Sequence, residues 1–341
     1  MKRTLTALGL TLAMSGFMFA SAAAQTPPEV MVPYKAYRLA MASGNADAAL
    51  SQSYAAWQAG EKTLGENKTT GDLAQNYARV PSADPATIER QIEAMKRAQE
   101  LSVFYAENVS DVFMERGMKV FELQISIGET RKAGNTADSI IEYAEDKNLL
   151  KSVYLAEALT AKASVLSQKR NRRGGKRMVE YADRAITIFD KQPAANQSPY
   201  RDFAYLYRGF GHEYEDEIME AALSYQNVLE NMGDMSYENH PIGARALGRW
   251  IQMRARLRSE GDFETAKANG FRELFPYDVK RNETVKPVKR SPPKFSPKAL
   301  RGNTSGFSVI LFDLDDAGKT INHRILASWP PEIHEKTSVA A

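Results

Sequence analysis

The chain has 341 residues, a length that suits about two domains. Its formal charge of +3, with 26% charged residues, gives no global reason to bind nucleic acid. With no cysteine there is no disulfide, no thiolate metal site and no cysteine nucleophile.

The first residues read MKRTLTALGLTLAMSGFMFASAAAQTPP. Lys2 and Arg3 form a positive start, an apolar run follows from Leu5 to Ala20, and Ala22-Ala23-Ala24 supplies small residues before Gln25. That is the pattern of a secretory signal, residues 1–24, cleaved between Ala24 and Gln25. Removing it would lower the formal charge by two, to +1. The apolar run is also about long enough to span a bilayer, so an uncleaved anchor is the alternative. Residues 25–32 read as a short linker.

From 33 to 275 apolar residues recur at helical spacing. Val179, Ala182, Ile186 and Phe189 form one stripe, Phe203, Tyr207, Phe210 and Tyr214 a second, and Ile218, Ala222, Tyr225 and Leu229 a third. Glycine and proline fall between stripes, at Gly44, Gly65, Gly174-Gly175, Pro193, Gly233 and Pro241. Four helical pairs are predicted: 34–65 around a Gly44-Asn45 turn, 154–168 with 179–190, 200–230, and 240–257 with 262–270. Phe210-Gly211-x-x-Tyr214 followed by Ala221-x-x-x-Tyr225 resembles the tetratricopeptide (TPR) pattern, in which a small residue lets two helices approach and an aromatic fills the neighbouring groove. The pairs begin about 35 to 50 residues apart rather than at a strict 34. The fold class expected is mainly α, a TPR-like α-solenoid of helical hairpins, whose groove docks partners rather than doing chemistry.

Two polar clusters fall in this body. QKRNRRGGKRM carries Lys169, Arg170, Arg172, Arg173, Lys176 and Arg177, either an anionic-partner patch for lipid phosphate, lipopolysaccharide or an acidic protein, or a solvated turn with bases at a helix C-terminus. It does not match a phosphate-binding P-loop. HEYEDEIMEAA carries Glu213, Glu215, Asp216, Glu217 and Glu220, which read as acids in the first turn of a helix, where they complement its dipole, rather than as a calcium or acid–base site. The histidines 212, 240, 323 and 334 make no H-E-x-x-H pattern; His212 is expected on a helix surface and His323 on a solvent-facing strand position. Trp57 and Trp250 read as core packing. No catalytic, cofactor or metal constellation is found.

Residues 276–300 form a Pro- and Lys-rich linker. Its Pro287, Pro292, Pro293 and Pro297 exclude helix and central strand, and between Arg281 and Arg301 seven bases face only Glu283. Residues 301–341 then change character. Val309, Ile310, Leu311, Phe312 and Leu314 predict a strand and DDAG a turn, with Gly318 free to take positive φ. Ile321, Ile325 and Ala327 alternate with Asn322, Arg324 and Ser328, which predicts a second strand with the first set buried.

This hairpin resembles the start of the C-terminal domain of the TonB energy-transducer family. The residues carrying the resemblance are Gly306, Phe312, Leu314, Asp315 and Gly318, continued in register by Ile325, Ser328 and Pro330, with Pro297 at the loosely matching approach. AAWQAGEKTLGENKTTGDLAQNYA, residues 55–78, is similar to TPR-bearing exported members of that family. The family's domain continues into a helix and a closing strand that receives a receptor peptide by strand addition, and the given sequence ends at Ala341 inside that helix. His334 stands where the family has an aromatic residue. TonB-type transducers also carry a histidine inside an uncleaved N-terminal span, and the leader has none.

The expectation is a non-enzymatic, exported adaptor of the Gram-negative periplasm with no cofactor. It would bind protein partners of the cell envelope, an outer-membrane receptor among the candidates, and no nucleic acid. The alternative is a TonB-type transducer anchored in the inner membrane and truncated at its C-terminus.

Overall fold

The structure is a computed structural model and describes residues 26–105, 108–168, 172–192, 198–232, 240–272, 274 and 307–329. It is mainly α, and it divides into two compact units, residues 1–81 and 82–341.

In the first unit α1 (Pro28–Ala42), α2 (Ala46–Thr63) and α3 (Lys68–Ala78) pack in sequence. Helix α1 begins at Pro28 rather than at 33, because Pro28 at the first helical position loses no hydrogen bond and brings its φ preset. Gly44 takes φ +70° in the α1–α2 turn, and Asn45 Oδ1 accepts from the Ala48 N–H at 3.0 Å to cap α2. Asn67 caps α3 in the same way. Trp57 lies stacked on Tyr77 at 5.8 Å and is buried.

The second unit strings together α4 (Pro85–Glu100), a 3-10 turn (Leu101–Phe104), α5 (Val109–Ser126), α6 (Thr130–Asp146), α7 (Val153–Ser167), α8 (Arg172–Asp190), α9 (Pro199–Glu215), α10 (Ile218–Met232), α11 (Pro241–Glu260) and α12 (Phe263–Ala268). The four expected pairs form as α1–α2, α7–α8, α9–α10 and α11–α12. Each helix packs on its neighbour in sequence, and α5 on α7, α7 on α9 and α9 on α11 also touch. Alternate helices therefore share one face, which is how stacked hairpins pack. The core is one in which Phe189, Leu206, Val228 and Leu247 are fully covered, each contributing about 1.5–3 kcal/mol by its removal from water.

Two close approaches set the helix spacing. A Cβ at Gly209 would lie 2.4 Å from the ring of Tyr225, so Gly209 is the small residue that admits the α10 aromatic. The pattern pointed to Gly211 for this role; Gly211 instead turns to α8. Gly175 of α8 and Gly211 of α9 meet so closely that a Cβ on either would stand 2.9 Å from the carbonyl oxygen of the other.

β1 (Phe307–Leu314) and β2 (Thr320–Trp329) pair antiparallel and lie on α11. Asp315 Oδ1 accepts from the N–H groups of Ala317 (3.0 Å) and Lys319 (2.8 Å), and Gly318 takes φ +76° as expected. The register shifts twice, between Val309 and Ile310 and between Leu311 and Asp313, with Asn322 at φ +52°. These bulges overturn the expected alternation, since each extra residue swaps the faces beyond it. Leu326 and Val309 pack on the helical core and Ser328 is buried, whereas Ile321 is exposed.

Candidate functional site

The face shared by α5, α7, α9 and α11 concentrates aromatic and charged side chains. On α9, Tyr200, Phe203, Tyr207 and Phe210 recur at helical spacing with ring centroids 6.4, 6.0 and 6.1 Å apart. Phe210 is buried, while Tyr200, Phe203 and Tyr207 stay partly open. Ten residues of helix make this ladder about 15 Å long.

The two ends of the ladder differ in charge. At the Tyr200 end, the Tyr200 hydroxyl donates to Glu122 Oε1 of α5 at 3.1 Å, and the Ser198 hydroxyl donates to Glu157 Oε1 of α7 at 3.0 Å. Burial pushes the Glu157 carboxyl up to about 7, the Ser198 hydrogen bond opposes this, and the charges of Glu122 and Glu115 add to the rise. The Tyr200 phenol is raised too, by burial and then by the same carboxylates. At the Phe210 end, the guanidinium groups of Arg245 and Arg249 lie 4.8 and 5.7 Å from the Phe210 ring centroid. Burial lowers the Arg245 pKa. Arg249 Nη1 donates to Glu213 Oε2 at 3.3 Å, and the buried Tyr225 hydroxyl donates to Glu213 Oε1 at 2.5 Å. Nothing in sequence spacing announced this grouping, because Glu122, Glu157 and Tyr200 come from three helices.

Of the residues singled out in the sequence, Phe203, Tyr207, Phe210 and Glu213 belong to this site, and the others fall elsewhere. Ala24, Gln25, Lys169, Arg170, Pro297, Gly306 and Pro330 lie outside the described residues. Arg172, Arg173, Lys176 and Arg177 are exposed in the first two turns of α8. That corrects the reading of bases at a helix C-terminus: Gly174 and Gly175 lie inside the helix, so they do not end one. Arg172 pairs with Glu215 at 3.5 Å, and Arg177 reaches the Tyr181 hydroxyl at 3.2 Å. Of the acids, Glu220 lies in the first turn of α10 and Glu217 just before it, but Glu213 and Glu215 sit in the last turn of α9. There Tyr225, Arg249 and Arg172 hold them against the unfavourable dipole. Asp216 ends α9 in the left-handed conformation and accepts from Arg256 at 3.0 Å.

His212 is buried rather than on a helix surface, and its Nδ1 stands 2.6 Å from Glu217 Oε2. His323 is exposed beside Phe312. In the hairpin, Phe312 and Leu314 are exposed, Asp315 and Gly318 make the turn, Ile325 is half-buried opposite Ile310, and Ser328 is buried opposite Ser308.

No family model matches the chain, and no curated protein matches it. Among solved structures it is similar to the crystal structure of BtubC (BKLC) from P. vanneervenii, at 18% identity over 77% of this chain and 98% of that chain, with a TM-score of 0.41. A likeness of that degree assigns neither a fold family nor an activity.

Among the described residues no group of three or more His, Asp or Glu side chains is placed to hold a metal ion. No described helix is long and apolar enough to cross a membrane. The shared face thus carries partly covered aromatic rings, with Glu122 and Glu157 at one end and Arg245, Arg249 and Glu213 at the other.

Proposed function

We propose that this chain is a non-enzymatic docking protein of the bacterial envelope, binding an extended protein segment along the α9 ladder. The carrying observation is the row of three partly open rings with carboxylates at one end and arginines at the other. About 15 Å accommodates four to five extended residues. The matching segment has a basic side chain toward Glu122 and Glu157, apolar side chains over Phe203 and Tyr207, and a carboxylate toward Arg245. Export to the periplasm is part of this reading and rests on the leader sequence, residues 1–24. The TonB-like hairpin, with its Asp315–Gly318 turn, supports a link to envelope transport and to an outer-membrane receptor as partner. A membrane-anchored TonB-type transducer is the second reading, favoured by the same hairpin.

The test is capture of partners from the envelope fraction of the source cells by the wild-type chain and by Phe203→Ala/Tyr207→Ala. The variant is expected to keep its helical circular dichroism and lose the partner. Full capture by a folded variant would sink the proposal. The intact mass of the native protein separates the two settings, since retention of Met1 means an anchor and a start at Gln25 means release.

A further inference from the structure

We propose that the cleft where α4, α5 and α6 meet is a binding site for a small oxyanion, a phosphate group free or carried on a polyol. The cleft holds about 230 Å³ and is lined by Lys96 of α4, Gln124 of α5, and Lys132, Asn135, Thr136 and Ser139 of α6. The α6 residues sit at i, i+3, i+4 and i+7, so one face of the helix delivers all four. The opposite face, with Ala133, Ala137, Ile140 and Ala144, is buried in the core and fixes the rotation of α6.

Two features separate this cleft from an ordinary wet helix face. Gln124 is only 2% exposed, yet it lines the cleft. The Thr136 hydroxyl donates to its Oε1 at 2.8 Å, and its amide nitrogen pairs with no described residue. That nitrogen opens to the water of the cleft, where a bound acceptor would replace water on its donors. The second feature is charge. The lining has two ammonium groups and no carboxylate. Lys132 pairs with Glu129 from one turn earlier, and Lys96 has no carboxylate partner among the described residues. Ammonium groups and amide donors bordering a small polar space are the complement of an oxyanion. No hydrophobic side chain lines the cleft, so it does not suit a greasy ligand, and the volume is below that of pockets for drug-sized molecules.

The test is isothermal titration of the full chain at low chloride with inorganic phosphate and, separately, glucose 6-phosphate. Saturable one-site binding is expected. Lys96→Ala/Lys132→Ala, on exposed positions, should weaken it about tenfold or more with an unchanged melting curve. Gln124→Met, which keeps the volume and removes the donors, should weaken it similarly; if that variant fails to fold, the lysine pair alone decides. Tighter binding of glucose 6-phosphate identifies a phosphorylated polyol, and equal binding identifies the free anion. No saturable binding of either probe up to about 10 mM, or binding unchanged in the lysine variant, would overturn the site.

Discussion

Glu157→Gln should stabilise this protein at neutral and alkaline pH, and the size of the gain follows from where the carboxyl sits. Glu157 is pushed up to about 7 in the fold against 4.5 as an ordinary side chain, by burial and then by the charges of Glu122 and Glu115. In the unfolded chain it loses its proton near 4.5, whereas the native state holds it until about 7. Between those values the native state binds more protons, so stability falls as pH rises through the window and stays low above it. At 1.36 kcal/mol per unit the difference amounts to about 3 kcal/mol, and water reaching the partly open carboxyl reduces this to about 1–3 kcal/mol. Glutamine keeps the acceptor for the Ser198 hydroxyl and removes the charge. Urea unfolding of both proteins at about pH 4, 6 and 8 is the assay. The wild type should lose stability from the first pH to the last relative to the variant, and the curves should meet at the acid end. A variant no more stable than wild type at pH 8 would refute the reasoning, because the carboxylate would then have native stabilisation that the burial argument leaves out.

Three other outcomes follow from packing and hydrogen bonding. Gly209→Ala should cost about 1–3 kcal/mol or prevent folding, since its Cβ meets the fully buried Tyr225 ring; a melting temperature equal to wild type would contradict that contact. Arg116→Ala should cost about 2–5 kcal/mol in the same melts. It empties a buried site and strips donors from the Ala98 carbonyl and the Tyr105 hydroxyl. Asp315→Ala removes the acceptor for two turn N–H groups and should weaken the hairpin by about 1 kcal/mol, read as faster amide exchange across β1 and β2 with the helices unchanged.

Periodicity sufficed for the four helical pairs because their buried faces repeat at 3.6 residues and their turns carry glycine or a capping residue, as at Gly44-Asn45. It also sufficed for the Asp315–Gly318 turn, whose chemistry is local. The buried side of β2 was not legible, because two register shifts move its residues between faces and break the period of two. His212 was misplaced because α9 touches four other helices, and the pattern of one helix does not report how many of its faces are covered. The basic stretch at 172–177 was assigned to a helix end because two successive glycines usually break a helix; here Gly175 is needed inside one for the approach of α9. The charged poles of the ladder and the cleft at Gln124 join side chains from several helices, and no single-helix pattern reports such a meeting.

The contact of Gly175 with Gly211 bears on how the array can vary over generations. Where two side chains meet, a larger one on one helix can be offset by a smaller one on the other, and the pair drifts together. Here each partner is already a glycine facing backbone, so neither position has a smaller residue to retreat to. The α8–α9 joint is thereby closed to compensating exchange. Any lineage that retunes the bend of this helical stack must do it at another joint.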